Sequence, residues 1–149
     1  MALKKKQVVE LYTALKDAKA SKIPASKRLN LAKLLLEFKK VNTEFDETRE
    51  NLIKQASSED HDKMVQDVQQ YNREQQAGKV ESFTDERIKE LDAYFSKWNQ
   101  EIDTGIKQWN AEDYELQSSK LDEETWNGLV DSNPDWSLET LSNLLEIKE

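Results

Sequence analysis

Apolar residues recur between Leu29 and Ile53 at alternating steps of three and four, and lysines and glutamates fill most of the intervening positions. This spacing predicts an amphipathic helix. We place the helix at residues 26–56, which makes it roughly 45 Å long at 1.5 Å per residue. A helix of this length needs partners along most of its apolar stripe. The part of the stripe that we single out is Leu31, Leu34, Phe38, Val41 and Phe45.

The same rhythm predicts three further long helices, at residues 5–20, 59–77 and 85–109. Because the last of them has the bulkiest apolar residues, we expect it to pair with the 26–56 helix. Phe38 and Phe45 should then pack against Phe95 and Trp98, or against the first helix. If the two stripes are not core, they are surfaces for a partner protein. The stripe of the 85–109 helix is Ile88, Leu91, Phe95, Trp98 and Ile102.

Glycine interrupts the stripe of the fourth helix where an apolar residue is due. Gly105 therefore predicts a bend or a close helix crossing at this point. Trp109 lies beyond the interruption, so we expect it to contribute less to stability than Phe38 or Trp98.

Polar residues mark the expected ends of these helices. Ser57 or Ser58 is predicted to cap the third helix, and Thr84 to cap the fourth. Gly78 is predicted to end the third helix in the left-handed conformation.

The region after the fourth helix changes pattern. Alternating polar and apolar residues favour an extended segment within 110–120, which allows one short β-ribbon with 79–83 as the candidate partner. Two short helices follow, and their predicted N-caps are Asp122 and Ser137, each flanked by apolar residues at the spacing of a hydrophobic staple.

The predicted fold class is therefore all-α, and the length of 149 residues suits a single domain. We expect an elongated antiparallel helical bundle, or coiled-coil-like hairpin, over residues 1–110 and a small C-terminal helical pair over 111–149. With three glycines and two prolines, the chain has few residues for the tight turns of a sandwich or barrel.

Charge divides the chain unevenly. Residues 1–40 have a balance of +8 and the remainder −16, which together give the net charge of −8. One interpretation is solubility together with an internal attraction between the two parts, and the other is that each part meets a different partner. Nucleic acid is not an expected ligand, because the acidic remainder would repel phosphates.

Composition and motifs also limit the chemistry that we expect. The chain has no cysteine, which excludes disulfides and thiolate metal sites. His61, the one histidine, stands among acidic residues that a helix start already explains, so we expect no metal, no cofactor and no catalytic residue. Apolar runs are too short for a membrane span or a signal peptide, so the expected location is the cytoplasm.

Several stretches carry a resemblance to a known group of proteins. They are the opening 4–12, the helix break at Ile23-Pro24, Tyr114-Glu115-Leu116 and the stretch 120–124. Together they resemble small helical proteins of unknown activity encoded by tailed bacteriophages of gut bacteria. The resemblance implies an assembly or virion role in the host cell or the virion, and no catalytic residues to carry over.

The function that we predict is that of a non-enzymatic interaction protein that binds phage proteins and self-associates. The alternative is an acidic, host-directed inhibitor that occupies a basic nucleic-acid-binding site on a host protein. An enzyme is a third class, which would require a buried carboxylate cluster in a deep pocket.

Overall fold

The computed structural model describes residues 2–149, and these residues form six α-helices and one two-stranded antiparallel ribbon. The all-α fold class, with a long second helix and a small C-terminal helical pair, is confirmed. The strands are β1 (Leu3–Lys4) and β2 (Asp113–Tyr114). The helices are α1 (Lys5–Leu15), α2 (Ala25–Ala56), α3 (His61–Gln76), α4 (Asp85–Asn110), α5 (Glu123–Ser132) and α6 (Leu138–Leu144), followed by a 3-10 turn at Leu145–Ile147.

The chain divides into two compact units. The first unit comprises the residues up to Glu47 together with Gln108–Glu149, and the second comprises Thr48–Lys107. This division does not coincide with the one expected at residue 110, because the C-terminal helices share a core with α1 and the first part of α2.

The core of the first unit draws on four helices. Apolar side chains from α1, α2, α5 and α6 lose nearly all contact with solvent here, and this burial is the main favourable term for folding. The fully buried side chains are Val8, Leu11, Ile23, Leu34, Phe38, Leu121, Leu129, Leu144 and Ile147.

The predicted ribbon exists, but its predicted partner is wrong. Leu3 pairs with Tyr114 and Lys4 with Asp113, whereas residues 79–83 form a connection within the second unit. The backbone N–H groups of Glu81 and Ser82 donate to the carboxylate of Glu74 at 3.0 and 2.9 Å. These two backbone N–H groups are therefore not available for hydrogen bonds to β2.

Helix α1 ends at Leu15, five residues before the predicted end. The following loop bonds instead to the C-terminal end of α5. The backbone N–H and C=O of Lys19 both bind the side-chain amide of Asn133, at 2.9 and 2.8 Å. The N–H of Lys22 donates to the hydroxyl of Ser132 at 2.9 Å. These long-range bonds satisfy backbone groups that a longer helix would have paired internally.

Helix α5 approaches the same loop very closely at Gly128. A Cβ atom added there would lie 2.6 Å from the carbonyl oxygen of Lys22 and 3.0 Å from a side-chain carbon of Ile23. Any larger residue would collide with backbone at this position.

The second unit contains the end of α2, α3 and most of α4. In it α4 runs antiparallel to both neighbours: Ser57 lies beside Trp98 and Leu52 beside Gly105, while Asp67 of α3 binds Arg87. Helix α4 continues through Gly105, where an added Cβ would collide with the side chain of Leu52. The predicted close crossing at Gly105 is confirmed.

The predicted caps are confirmed except at α3. That helix begins at His61 with Asp60 at its N-cap, and neither Ser57 nor Ser58 caps it. The hydroxyl of Ser57 instead donates to the carbonyl of Ile53 and accepts from the indole of Trp98. The confirmed features are the N-caps Thr84, Asp122 and Ser137 and the positive φ of Gly78.

Trp109 is one of the buried residues of the first unit, at 5% exposure. Its ring packs on Phe45 at 5.2 Å between centroids, and its indole N–H donates to Glu44 at 3.1 Å. Trp98 is only half-buried. Trp109 is therefore more buried than Trp98, the opposite of what the interrupted stripe led us to expect for these two residues.

We predict that Phe38→Ala and Trp109→Ala each lower the free energy of unfolding by about 3 to 5 kcal/mol, because each removes a buried ring from a packed core. Trp98→Ala should cost less, since part of its ring already contacts solvent. Urea unfolding followed by circular dichroism measures these losses. Thr43→Ala, at an exposed position of α2, is the control and should stay within about 0.5 kcal/mol. A larger loss for Trp98→Ala than for Trp109→Ala would contradict the burial order.

Candidate functional site

The stripe of α2 that the sequence singles out lies in the core of the first unit. Leu34, Phe38 and Val41 are buried, and Leu31 and Phe45 pack against them with partial exposure. Leu34, Phe38 and Val41 are therefore covered by the chain's own fold, and Leu31 and Phe45 are covered in part.

The stripe of α4 lies in the second unit and is less completely covered. Leu91 is buried at 5% exposure, while Ile88, Phe95, Trp98 and Ile102 remain half-buried. A groove of about 440 Å³ runs between this stripe and α3. It is lined on the α4 side by Ile88, Leu91 and Phe95 and on the α3 side by Val68 and Tyr71.

His61 belongs to an aromatic cluster of the second unit. Its ring stacks on Trp98 at 5.3 Å and meets the edge of Phe95 at 5.8 Å. Its Nδ1 atom lies 2.8 Å from the hydroxyl of Tyr94, which also accepts the backbone N–H of Ser58. Within residues 2–149 no three side chains of the types that bind metals are grouped to hold an ion. The contacts of His61 are those of a packing residue.

A lysine in the first unit is held between two carboxylates. Lys5 Nζ lies 2.7 Å from both Glu44 and Glu112 and 5.2 Å from the centroid of the Trp109 ring. Burial lowers the pKa of Lys5, but the hydrogen bonds to Glu112 and Glu44 outweigh that effect, so the pKa is raised overall. The hydrogen bond from Lys5 is in turn the main cause that lowers the pKa of Glu44. Lys5 and Glu44 therefore stay charged at neutral pH, which makes Lys5 a poor nucleophile.

Glu37 fastens the segment after β2 to α2. Its carboxylate accepts hydrogen bonds from the hydroxyl of Tyr114 at 2.6 Å and from the backbone N–H groups of Gln117 and Ser118 at 2.8 Å. Burial acts to raise the pKa of Glu37, but these bonds outweigh it and the pKa is lowered. Burial and the bond to Glu37 raise the pKa of Tyr114. Neither group changes protonation near neutral pH. The role of Glu37 is therefore to hold the backbone of Gln117 and Ser118 in place.

Two further contacts continue this attachment toward the start of α2. The amide of Asn30 donates to the carbonyl of Ser119 at 3.1 Å, and Lys27 pairs with Asp122 at 2.8 Å. The bond from Lys27 is the main cause that lowers the pKa of Asp122 to about 2. The segment from Tyr114 to Asp122 thus lies along α2 in the opposite direction.

The opposite side of α2 remains uncovered in the first unit. We call it the α2 outer face and define it by Leu29, Lys33, Leu36 and Lys40. Leu29 is 64% exposed and Leu36 is 55% exposed, and residues seven apart lie on the same side of a helix. The two lysines have the same spacing, and no carboxylate within residues 2–149 lies at ion-pair distance from either.

A shallow groove borders the α2 outer face. It has a volume of about 490 Å³ and is lined by Lys33, Leu36 and Lys40 on one side and by Tyr114 and Gln117 on the other. An apolar strip beside cations suits a partner that presents apolar and acidic residues together. Glu37 and Glu44 line the same groove, and their carboxylates are held in hydrogen bonds from Tyr114 and Lys5.

Sequence reasoning missed the α2 outer face. The run from Leu29 to Leu36 contains five leucines, more than one narrow stripe can hold. Leu29 and Leu36 form a second pair at heptad spacing, offset from the core stripe. The surplus of leucines over those of the core stripe could have indicated this second apolar face.

Acid should weaken the attachment made by Glu37. Because the pKa of Glu37 is lowered in the folded state, its contribution is complete above the ordinary value of 4.5 and is lost as the pH falls through the lower, folded-state value. We predict that Glu37→Gln costs about 1 to 3 kcal/mol of unfolding free energy at neutral pH. The difference from wild type should shrink in strong acid.

Urea unfolding over a pH series measures this difference. Glu47→Gln, at an exposed position of α2, is the matched control. A difference between Glu37→Gln and wild type that is independent of pH would show that the carboxylate charge has no part in the attachment.

Comparisons of this chain with protein-family models, curated proteins and solved structures find no match. In the part of the chain from residue 2 onward, none of the helices is both long and apolar enough to span a membrane. The functional proposal therefore rests on the surface of the molecule itself.

Proposed function

We propose that this protein is a non-enzymatic interaction protein that binds a partner helix on the α2 outer face. The observation that carries the proposal is the exposure of Leu29 and Leu36 beside Lys33 and Lys40, on a helix whose opposite side is fixed in the core. The partner is an amphipathic helix with acidic residues beside its apolar stripe.

The energetics favour a helical partner of this kind. Covering one leucine side chain completely is worth about 1.5 to 3 kcal/mol, and here two such side chains are aligned along one helix face. The two lysines add attraction for acidic residues and set the orientation of the partner. An amphipathic helix meets both requirements with side chains at the same heptad spacing.

The rest of the proposal has separate support. Its non-enzymatic part is supported by Lys5, Glu37, Glu44 and Tyr114, whose functional groups are all engaged in fixed pairs. Its phage part, an assembly factor or virion component made in the host cell, is supported by the sequence resemblance alone. The acidic inhibitor of a host enzyme is the competing hypothesis.

Photo-cross-linking tests the proposal. A photoreactive amino acid at position 36, at the centre of the α2 outer face, should cross-link to a helical acidic segment in phage-producing cells. Mass spectrometry of the cross-linked peptides identifies that segment. Lys33→Glu combined with Lys40→Glu should remove the cross-link, because the charges then repel.

The control places the same photoreactive group at Lys6, which is exposed on α1. Equal cross-linking at both positions, or none at position 36, would overturn the proposal. If a photoreactive group at acidic positions captures a host nucleic-acid-binding protein and the group at position 36 captures nothing, the inhibitor hypothesis is favoured instead.

A further inference from the structure

We infer that the partner helix on the α2 outer face is the C-terminal helix of a second copy of this chain. The inference rests on the proposed function and names the occupant of the same surface. It follows from a second exposed face in the first unit, which also has two leucines seven residues apart and is opposite to the α2 outer face in charge.

The second face lies on α6 and the turn that follows it. We call it the C-terminal face and define it by Leu138, Glu139, Leu145 and Glu146. Leu138 is 85% exposed and Leu145 is 54% exposed, and both glutamates are exposed. The other side of α6 is fixed in the core, where Leu144 is fully buried. This helix, like α2, has one face in the core and one apolar face uncovered.

The two faces combine the same residue types with opposite charge. Each has two leucines seven residues apart and two charged residues seven apart, and in α2 that spacing is about 10 Å along the helix. Lys33 and Lys40 accompany one pair, and Glu139 and Glu146 accompany the other. Within residues 2–149 neither glutamate has a cation at ion-pair distance, and neither lysine has a carboxylate. The charges on both faces are therefore available to each other in a contact between copies.

The contact must join two chains, because both faces are exposed in the folded first unit. Each copy offers one of each face. Two copies that make the contact reciprocally form a closed dimer, whereas copies that make it once form a longer array. In both cases the α2 outer face of one copy covers the leucines of the C-terminal face of another.

Charge reversal tests the inference without disturbing the core. Lys33→Glu with Lys40→Glu places acid against acid, and Glu139→Lys with Glu146→Lys places base against base. Sedimentation velocity and light scattering of the full chain should show association for wild type. Each double variant should associate at least about tenfold more weakly, since like charges meet across the contact.

An equimolar mixture of the two double variants should associate again, because opposite charges then face each other in both possible pairings. The combined quadruple variant should likewise regain association. Lys6→Glu with Lys63→Glu makes the same charge change at exposed positions on α1 and α3, outside both faces, and this control should associate as wild type does. Circular dichroism verifies that each variant is folded.

Three results would overturn the inference: a wild-type chain that stays monomeric at its highest soluble concentration, variants that associate as tightly as wild type, or a mixture that fails to regain association. These results are distinct from failure of the proposed function. A monomer that still cross-links from position 36 to another protein keeps the docking function and removes only the second copy as its occupant. A monomer that forms no cross-link from position 36 overturns both the docking function and the second copy as its occupant.

Discussion

The first unit depends on the close approach of α5 to the loop between α1 and α2. Gly128 lets the two backbones meet, and Ser132 and Asn133 then satisfy the backbone groups of Lys22 and Lys19. With the loop held in this way, the C-terminal helices pack on α1 and on the inner side of α2. Glu37 completes the arrangement by fastening the segment that leads to α5.

This arrangement gives the two sides of α2 different roles. Phe38 and its neighbours on the inner side are covered by segments distant in sequence, so they hold the unit together. Leu29 and Leu36 on the outer side are not covered. Because the inner side is fixed, the α2 backbone holds the outer leucines and lysines at a constant spacing, which would reduce the entropy lost on binding of the proposed partner.

Local patterns predicted the helices well. The period of apolar residues placed α2 and α4 within one residue at each end, and the caps Thr84, Asp122 and Ser137 follow from bonds that span three residues. Such features depend on neighbours in sequence and can therefore be read from it.

Long-range features were not predictable in the same way. The partner of β2 lies more than a hundred residues away, and residues 79–83 had the right composition but their donors serve Glu74. The shortening of α1 follows from bonds to Asn133 and Ser132, which no local pattern announces. The α2 outer face could have been found from the surplus of leucines, but which side would be covered depended on where the C-terminal helices pack.

Comparing two glycine substitutions tests the central claim that the approach of α5 organises the first unit. Gly128→Ala should lower the free energy of unfolding by about 1 to 3 kcal/mol, because the new methyl group meets the backbone of Lys22. Gly105→Ala should cost less, because its methyl group meets the movable end of Leu52 and not backbone. Both glycines lie inside helices, so the gain of about 1 kcal/mol in helix propensity is common to the two variants. Urea unfolding of both variants beside wild type is the measurement. A Gly128→Ala variant as stable as wild type, or less affected than Gly105→Ala, would contradict the claim.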